Sequence, residues 1–217
     1  MFDLFSHPDP ITPTQPEVLD LGDGVFHIKR LAPVELCMLH IHRILKFAPL
    51  RHMMTPMGHP TQVKMSNCGD YGWVSDESGY RYSQLDPESQ RPWPCLPAEF
   101  LQLHKYACQL AGLVPFQPDA CLINCYEIGT AMGRHRDKDE QDTSWPIVSI
   151  SLGLSAVFQV FGDSRNAKTK NIQLDSGDVV ILSGASRQYY HGVKPVKLDP
   201  LQPNLTQRYN LTLRKSQ

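Results

Sequence analysis

The chain has 217 residues, 41% of them apolar and 20% charged, with a formal net charge of −1. That length suits one well-buried domain, and so ordinary a composition excludes a disordered chain. The near-neutral charge argues against indiscriminate binding to nucleic acid; groups such as Arg134, Arg136 and Lys138, or Arg165, Lys168 and Lys170, read by default as solvated surface.

Residues 1–20 carry Pro8, Pro10, Pro13 and Pro16 without apolar periodicity, which predicts a mostly extended arm before a single domain over 21–217. Val25 to Leu31 reads as a first strand. From Pro33 to Ala48, Val34, Cys37, Met38, Ile41, Ile44, Leu45 and Ala48 recur at helical spacing; Pro33 suits the first turn and Pro49 blocks continuation. Residues 50–95 are punctuated by Gly58, Gly69, Gly72 and Gly79 and hold Tyr71, Trp73, Tyr80, Tyr82 and Trp93, a pattern that predicts hairpins and loops laid over a core. A second helix is expected from about Pro97 to Ala111, burying Phe100, Leu103, His104, Ala107 and Leu110 or Ala111. Short strands then follow at 120–126, 146–152, 156–161, 171–174, 178–182, 188–193 and 207–214. Regular short strands with turns between them indicate a sandwich or jelly roll over 120–217, with the helices against the outside of a sheet.

The six cysteines form no CxxC pair, and Cys121 and Cys125 on one strand lie about 13 Å apart, too far for a disulfide. Reduced thiols in a cytoplasmic protein are expected. No apolar run approaches the ~20 residues of a membrane span, and no secretory signal is visible, so no membrane association is expected.

His135 and Asp137 sit two apart, and His191 follows 54 residues after Asp137. Alternation in a strand would turn His135 and Asp137 to one side, where a distant histidine completes a 2-His-1-carboxylate triad with metal positions left open. The same alternation puts Arg208, Asn210, Thr212 and Arg214 on one strand face and Tyr209, Leu211 and Leu213 on the other. Two arginines pointing into a barrel call for an anion between them. Leu122, Asn124 and Tyr126 share a further face, adding an amide and a phenol that can bond a carboxylate. A triad beside a carboxylate clamp reads as an iron(II), 2-oxoglutarate-dependent oxygenase.

The runs Asp119-Ala-Cys-Leu-Ile-Asn-Cys-Tyr126, His135-Arg-Asp-Lys-Asp-Glu140, Ile147-Val-Ser-Ile-Ser-Leu-Gly153, Tyr190-His-Gly192 and Arg208-Tyr-Asn-Leu-Thr-Leu-Arg214 closely resemble the AlkB family of alkylated-nucleobase dioxygenases. The resemblance extends back through Met53-Met-Thr-Pro56, Ser66-Asn-Cys-Gly69, Gly72-Trp73 and Gly79-Tyr-Arg-Tyr-Ser83 to Met1-Phe-Asp-Leu-Phe5. It implies a cupin-like double-stranded β-helix, mainly β in an α+β chain, with 50–95 as a nucleotide-recognition lid. It implies that His135, Asp137 and His191 bind iron(II), and that Asn124, Tyr126, Arg208, Asn210, Thr212 and Arg214 hold 2-oxoglutarate. Trp73, Tyr80, Tyr82, Asp139 and Arg165 match positions that contact the damaged base or its strand. With oxygen as second cosubstrate, the implied reaction hydroxylates an N-alkyl group of 1-methyladenine or 3-methylcytosine. The product then collapses to formaldehyde and the restored base. Alkylated DNA is the implied partner, single-stranded DNA preferred, with RNA a further candidate and a monomer expected.

Blander readings apply elsewhere. Glu140 reads as a solvated loop carboxylate and His104 as a packed core residue. His40 and His42 diverge by about 200° on a helix, so they cannot share a metal. His7, His52 and His59 have no partner at ligand spacing. Cys125, Ala131, Arg134 and Leu182 depart from the family at pocket-rim positions, which bears on substrate preference. Two competing readings are an oxygenase of the same chemistry acting on a protein side chain or small molecule, and a non-catalytic jelly-roll binding module.

Overall fold

The computed structural model describes residues 16–163 and 168–217. In chain order the first half holds β1 (Val18–Asp20), β2 (Val25–Ile28), α1 (Val34–Leu45), β3 (Arg51–Met54), β4 (Pro60–Gly69), β5 (Gly72–Asp76), β6 (Gly79–Ser83) and α2 (Ala98–Leu110). The second half holds β7 (Ala120–Glu127), β8 (Met132–His135), β9 (Ile147–Gly153), β10 (Ala156–Gly162), β11 (Lys170–Leu174), β12 (Val179–Leu182), a 3-10 turn (Gly184–Gln188), β13 (Tyr190–Val193) and β14 (Gln207–Arg214).

An eight-stranded sheet in the order β1-β2-β12-β9-β14-β7-β4-β3 faces a four-stranded sheet in the order β11-β10-β13-β8, and β5 and β6 form a separate hairpin. Every pairing between named strands is antiparallel. This is the expected jelly roll with two helices. Each central strand of the large sheet divides its side chains by parity. Ile123 of β7, Ile150 of β9 and Leu211 and Leu213 of β14 pack with Cys37, Ile41 and Ile44 of α1 and with Phe100, Leu103 and Ala107 of α2. Leu122 and Tyr126 of β7 turn the other way, into a second core with Phe158, Val160 and Val193 of the small sheet. The apolar triple of α1 is spaced i, i+4, i+7, which makes the single stripe a helix needs to lie on a sheet.

Three expectations need correction. The stretch 50–95 does not simply lie over the core: β3 and β4 extend the large sheet beside β7, and Val63, Met65 and Cys68 are buried. Only the β5–β6 hairpin stands apart as a separate sheet. Its Gly72 lets the strand pass so close to the Trp93 indole that a Cβ would lie 2.3 Å from a ring carbon. The arm ends in a strand, because Val18–Asp20 pairs with β2, while residues 1–15 lie outside those described. A strand was also missed at Met132–His135, where Gly133 and flanking polar residues hide the period.

The β2–β12 seam is fastened by Asp178, whose buried carboxylate accepts bonds from His27 Nε2 (2.9 Å), the Arg30 amide (2.9 Å) and the Asp175 amide (3.0 Å). Burial pushes this carboxyl up, but those bonds more than offset it and hold it below the ordinary aspartate range. Asp178→Ala is expected to cost roughly 2–4 kcal/mol at pH 7, the size of a severed buried network. A carboxyl depressed by folding contributes stability above its unfolded pKa of about 3.9 and loses it as the pH falls through the folded value. The difference between wild type and variant in urea unfolding should therefore hold from pH 7 to 5 and shrink below about pH 4. A difference that stays constant down to pH 3 would deny Asp178 this role.

Candidate active site

The two sheets meet around a cavity of about 530 Å³. His135 at the end of β8 lies opposite His191 of β13 in the strand register, with their ring centroids 4.3 Å apart. Asp137 completes the group, with Oδ2 3.4 Å from His191 Nε2 and Oδ1 3.8 Å from His135 Nε2. One ligand atom from each of the three lies within 4.8 Å of the others. Strand alternation is not what gathers them: β8 stops at His135, and Asp137 belongs to the loop beyond. That loop folds back because Arg187 Nη1 donates to the Asp137 carbonyl at 2.9 Å.

Both imidazoles are oriented for metal binding. His135 Nδ1 is 2.9 Å from the Gly133 carbonyl and His191 Nδ1 is 3.1 Å from that of Tyr189. A carbonyl partner places the proton on Nδ1 and leaves the Nε2 lone pair for a metal. Partial burial of the ring, with His191 alongside, lowers the His135 pKa to about 4, so this imidazole is neutral at neutral pH. Burial raises the Asp137 carboxyl, but Arg214 and His191 outweigh it and keep the group well below the usual range. Two imidazoles with free Nε2 lone pairs and an ionised carboxylate are the donor set of an open-sided divalent metal centre.

The neighbouring wall comes from β14 and β7. Asn210 Nδ2 donates to Ser149 Oγ (2.7 Å) and to the Ile150 carbonyl (3.1 Å), while its Oδ1 accepts from Thr212 Oγ1 (3.0 Å) and Asn124 Nδ2 (3.3 Å). Arg208 is 1% exposed and stacks on the Tyr126 ring at 4.8 Å. Its Nη2 donates to Ser151 Oγ at 3.0 Å, but its Nε and Nη1 are buried with no hydrogen-bond partner among the described residues. An uncompensated buried guanidinium is costly unless an anion meets it, and its planar fork matches a carboxylate. The residues present therefore fit a carboxylate cosubstrate.

Arg214 departs from the expected picture of two arginines facing one anion. Its Nη2 pairs with Asp137 Oδ2 (3.1 Å) and its Nη1 with Glu140 Oε1 (2.8 Å), leaving Nε alone without a partner among the described residues. Glu140 is not a solvated loop carboxylate but 6% exposed, bonded also by Arg187 Nη2 and the Tyr82 hydroxyl, each at 2.8 Å. Burial raises its carboxyl, and Arg214 and Arg187 bring it below the ordinary glutamate range.

At the mouth, Trp73 of β5 and Tyr80 of β6 stack with centroids 5.6 Å apart and planes 15° apart. Trp73 Nε1 donates to Asp139 Oδ2 at 2.8 Å, and all three residues line the cavity. Tyr82 is placed differently. Its hydroxyl is committed to Glu140 and, at 3.4 Å, to Arg214, and it is not among the lining residues. Arg165 lies outside the described residues. Lys170, grouped with it by sequence, bonds the Leu21 carbonyl and Asp23 instead. Sequence reasoning missed Ser149, Ser151, Glu140 and Arg187. The two serines were visible as the polar partners of Val148, Ile150 and Leu152 in a strict alternation; nothing local marked Arg187.

Comparison with known proteins agrees with this geometry. The profile of the 2OG-Fe(II) oxygenase superfamily matches residues 24–214. The chain is 42% identical over 218 residues to the alpha-ketoglutarate-dependent dioxygenase AlkB of Escherichia coli (strain K12), covering 100% of this chain and 98% of that one. It is 46% identical over 171 residues to the AlkB of Salmonella typhimurium, covering 78% of each. Among solved structures, that of OsALKBH1 superposes with a TM-score of 0.78 at 27% identity, covering 92% of this chain and 100% of that one. A 2-His-1-carboxylate group beside a buried carboxylate-seeking arginine, carried on a chain related to AlkB along its whole length, leads to one assignment: the protein belongs to the AlkB family of iron(II)- and 2-oxoglutarate-dependent dioxygenases.

Proposed function

We propose that the protein reverses alkylation damage by oxidative demethylation of N-alkylated bases in nucleic acid, 1-methyladenine and 3-methylcytosine in DNA above all. The observation that carries this reading is the stacked Trp73–Tyr80 pair, fixed by Asp139, across the same cavity as His135, Asp137 and His191. A flat aromatic shelf at a metal mouth suits an extruded base, and base stacking on an aromatic is worth about 1–3 kcal/mol. A base methylated at its pairing edge is easier to extrude and carries positive charge, which Asp139 and an electron-rich indole face favour.

In this reading His135, Asp137 and His191 hold iron(II). Arg208 takes the far carboxylate of 2-oxoglutarate, and Asn124, Tyr126, Asn210, Thr212 and Arg214 shape the rest of its seat. Iron held by these residues would supply oxidative chemistry that couples decarboxylation of the cosubstrate to oxidation of the N-alkyl C–H bond. The chain holds Asp137 ionised, turns Nε2 of both histidines towards the metal position and encloses the reacting centre between two sheets. Arg165 is assigned to the substrate strand by family resemblance alone. Single-stranded DNA is the preferred form, because it has no partner strand to displace; RNA is a second polymer for the same shelf. Six free cysteines agree with a reducing cytoplasm, and among the described residues no helix is long and apolar enough to cross a membrane. We place the protein there as a monomer.

The test is formaldehyde release from a single-stranded oligonucleotide bearing one 1-methyladenine. Release that requires iron(II), 2-oxoglutarate and oxygen together is the expected result. No release, with 2-oxoglutarate still bound in the presence of metal, would keep the dioxygenase and discard this substrate. With the same assay, Trp73→Ala is expected to raise the oligonucleotide KM about 10-fold while moving the 2-oxoglutarate KM less than twofold, from the loss of one stacking surface. Equal effects on both would sink the shelf.

A further inference from the structure

We infer that Glu140 and Arg187 are positioning residues for the metal centre: together they hold Asp137 in its ligating place and keep Arg214 from drawing its carboxylate away. The inference rests on Asp137 being a metal ligand and on nothing about the substrate.

Four charges are buried side by side here, Arg187, Arg214, Glu140 and Asp137, and they sum to zero. Arg187 is 2% exposed and uses three of its donors. Its Nε bonds the Trp145 carbonyl (3.0 Å), Nη1 the Asp137 carbonyl (2.9 Å) and Nη2 Glu140 Oε2 (2.8 Å). The middle bond fixes the backbone of the ligand itself. Glu140 Oε1 takes Arg214 Nη1 at 2.8 Å, closer than the 3.1 Å between Arg214 Nη2 and Asp137 Oδ2. The guanidinium of Arg214 is thus shared between two carboxylates.

Sharing matters because Asp137 Oδ2 also faces His191 Nε2 at 3.4 Å, the side on which a metal must sit. If Glu140 were neutral, Asp137 would be the sole anion of Arg214 and would be pulled towards it in a low-dielectric interior. The metal would then compete with a buried arginine for its only anionic protein ligand. Partners of this kind typically change metal affinity 10–100-fold when they are altered.

Mn(II) serves as a redox-inert probe, titrated into purified full-length protein and followed by the electron paramagnetic resonance of the free ion. Glu140→Gln keeps the size and some hydrogen bonding but removes the charge, and is expected to raise the Mn(II) Kd about 10-fold or more. Arg187→Lys keeps the charge but not the three-donor geometry, and is expected to raise it severalfold. The double variant Glu140→Gln/Arg187→Lys should bind no more weakly than Glu140→Gln by more than about twofold, since residues acting as one unit are non-additive. A residue that only supported the fold would lower the melting temperature while leaving Mn(II) affinity of the folded protein intact. Folded variants with a wild-type Kd therefore overturn the inference. Should Glu140→Gln fail to fold, Arg187→Lys alone decides by the same criterion. Asp137→Ala separates the two levels: a wild-type Mn(II) Kd in that variant refutes the ligand assignment itself.

Discussion

Arg208→Met is expected to raise the KM for 2-oxoglutarate roughly 30- to 3,000-fold and, at the same time, to make the ligand-free protein more stable. The two effects have one origin. Arg208 is a buried cation whose Nε and Nη1 meet no acceptor among the described residues, while its Nη2 donates to Ser151 Oγ. Burial lowers its pKa, the mark of a charge held where it is poorly solvated. Against a carboxylate that cost is repaid, and truncating one partner of a buried charge pair typically costs about 2–5 kcal/mol, or roughly 30- to 3,000-fold in affinity. With no ligand the same guanidinium is a liability, and apolar replacement of buried charge stabilises by about 1–4 kcal/mol in comparable cases. Methionine also keeps contact with the Tyr126 ring, on which the guanidinium now stacks at 4.8 Å. Thermal unfolding with and without 2-oxoglutarate reads both effects. The variant should start higher and gain little from the ligand, whereas wild type should start lower and gain more. A variant less stable than wild type with an unchanged KM would show that Arg208 is a packing residue.

Much of this site was legible in the sequence because strands write their faces with period two. Arg208, Asn210, Thr212 and Arg214 alternate with Tyr209, Leu211 and Leu213, and the structure sends the first set to the cavity and the second to the helices. The helix stripe of Cys37, Ile41 and Ile44 was equally plain. What alternation cannot report is where a strand ends. His135 and Asp137 were paired by a rule that fails one residue past β8, and they converge because Arg187, 50 residues on, pins the loop between them. Glu140 was misread for the same reason: a carboxylate among charged neighbours has no local mark of burial, and its partners Tyr82, Arg187 and Arg214 come from three remote segments. Tyr82 is grouped with Tyr80 as a substrate contact by family resemblance, and their spacing of two on a hairpin is equally that of a half-buried strand. Its hydroxyl nevertheless reaches the carboxylate behind the wall instead of the mouth.

The second large effect concerns Asp137, the carboxylate of the proposed metal site. Asp137→Ala is expected to abolish formaldehyde release, by at least about 1,000-fold, while leaving a folded protein that still binds the oligonucleotide. Loss follows from the donor set: two imidazoles remain, and neither supplies the anionic oxygen that a 2-His-1-carboxylate site requires. The fold should survive because Arg214, which Asp137 holds at 3.1 Å, keeps Glu140 at 2.8 Å and is not left as a lone buried cation. Binding should survive because the Trp73–Tyr80 shelf is fastened through Asp139, not through Asp137. Asp137→Asn gives a sharper form of the same test. The amide keeps the shape and offers an oxygen to the metal, yet it removes the charge that counters both Arg214 and the cation. Its Mn(II) affinity should fall between wild type and Asp137→Ala. An asparagine variant that turned over at the wild-type rate would show that geometry alone, without the carboxylate charge, is what the centre needs from this position.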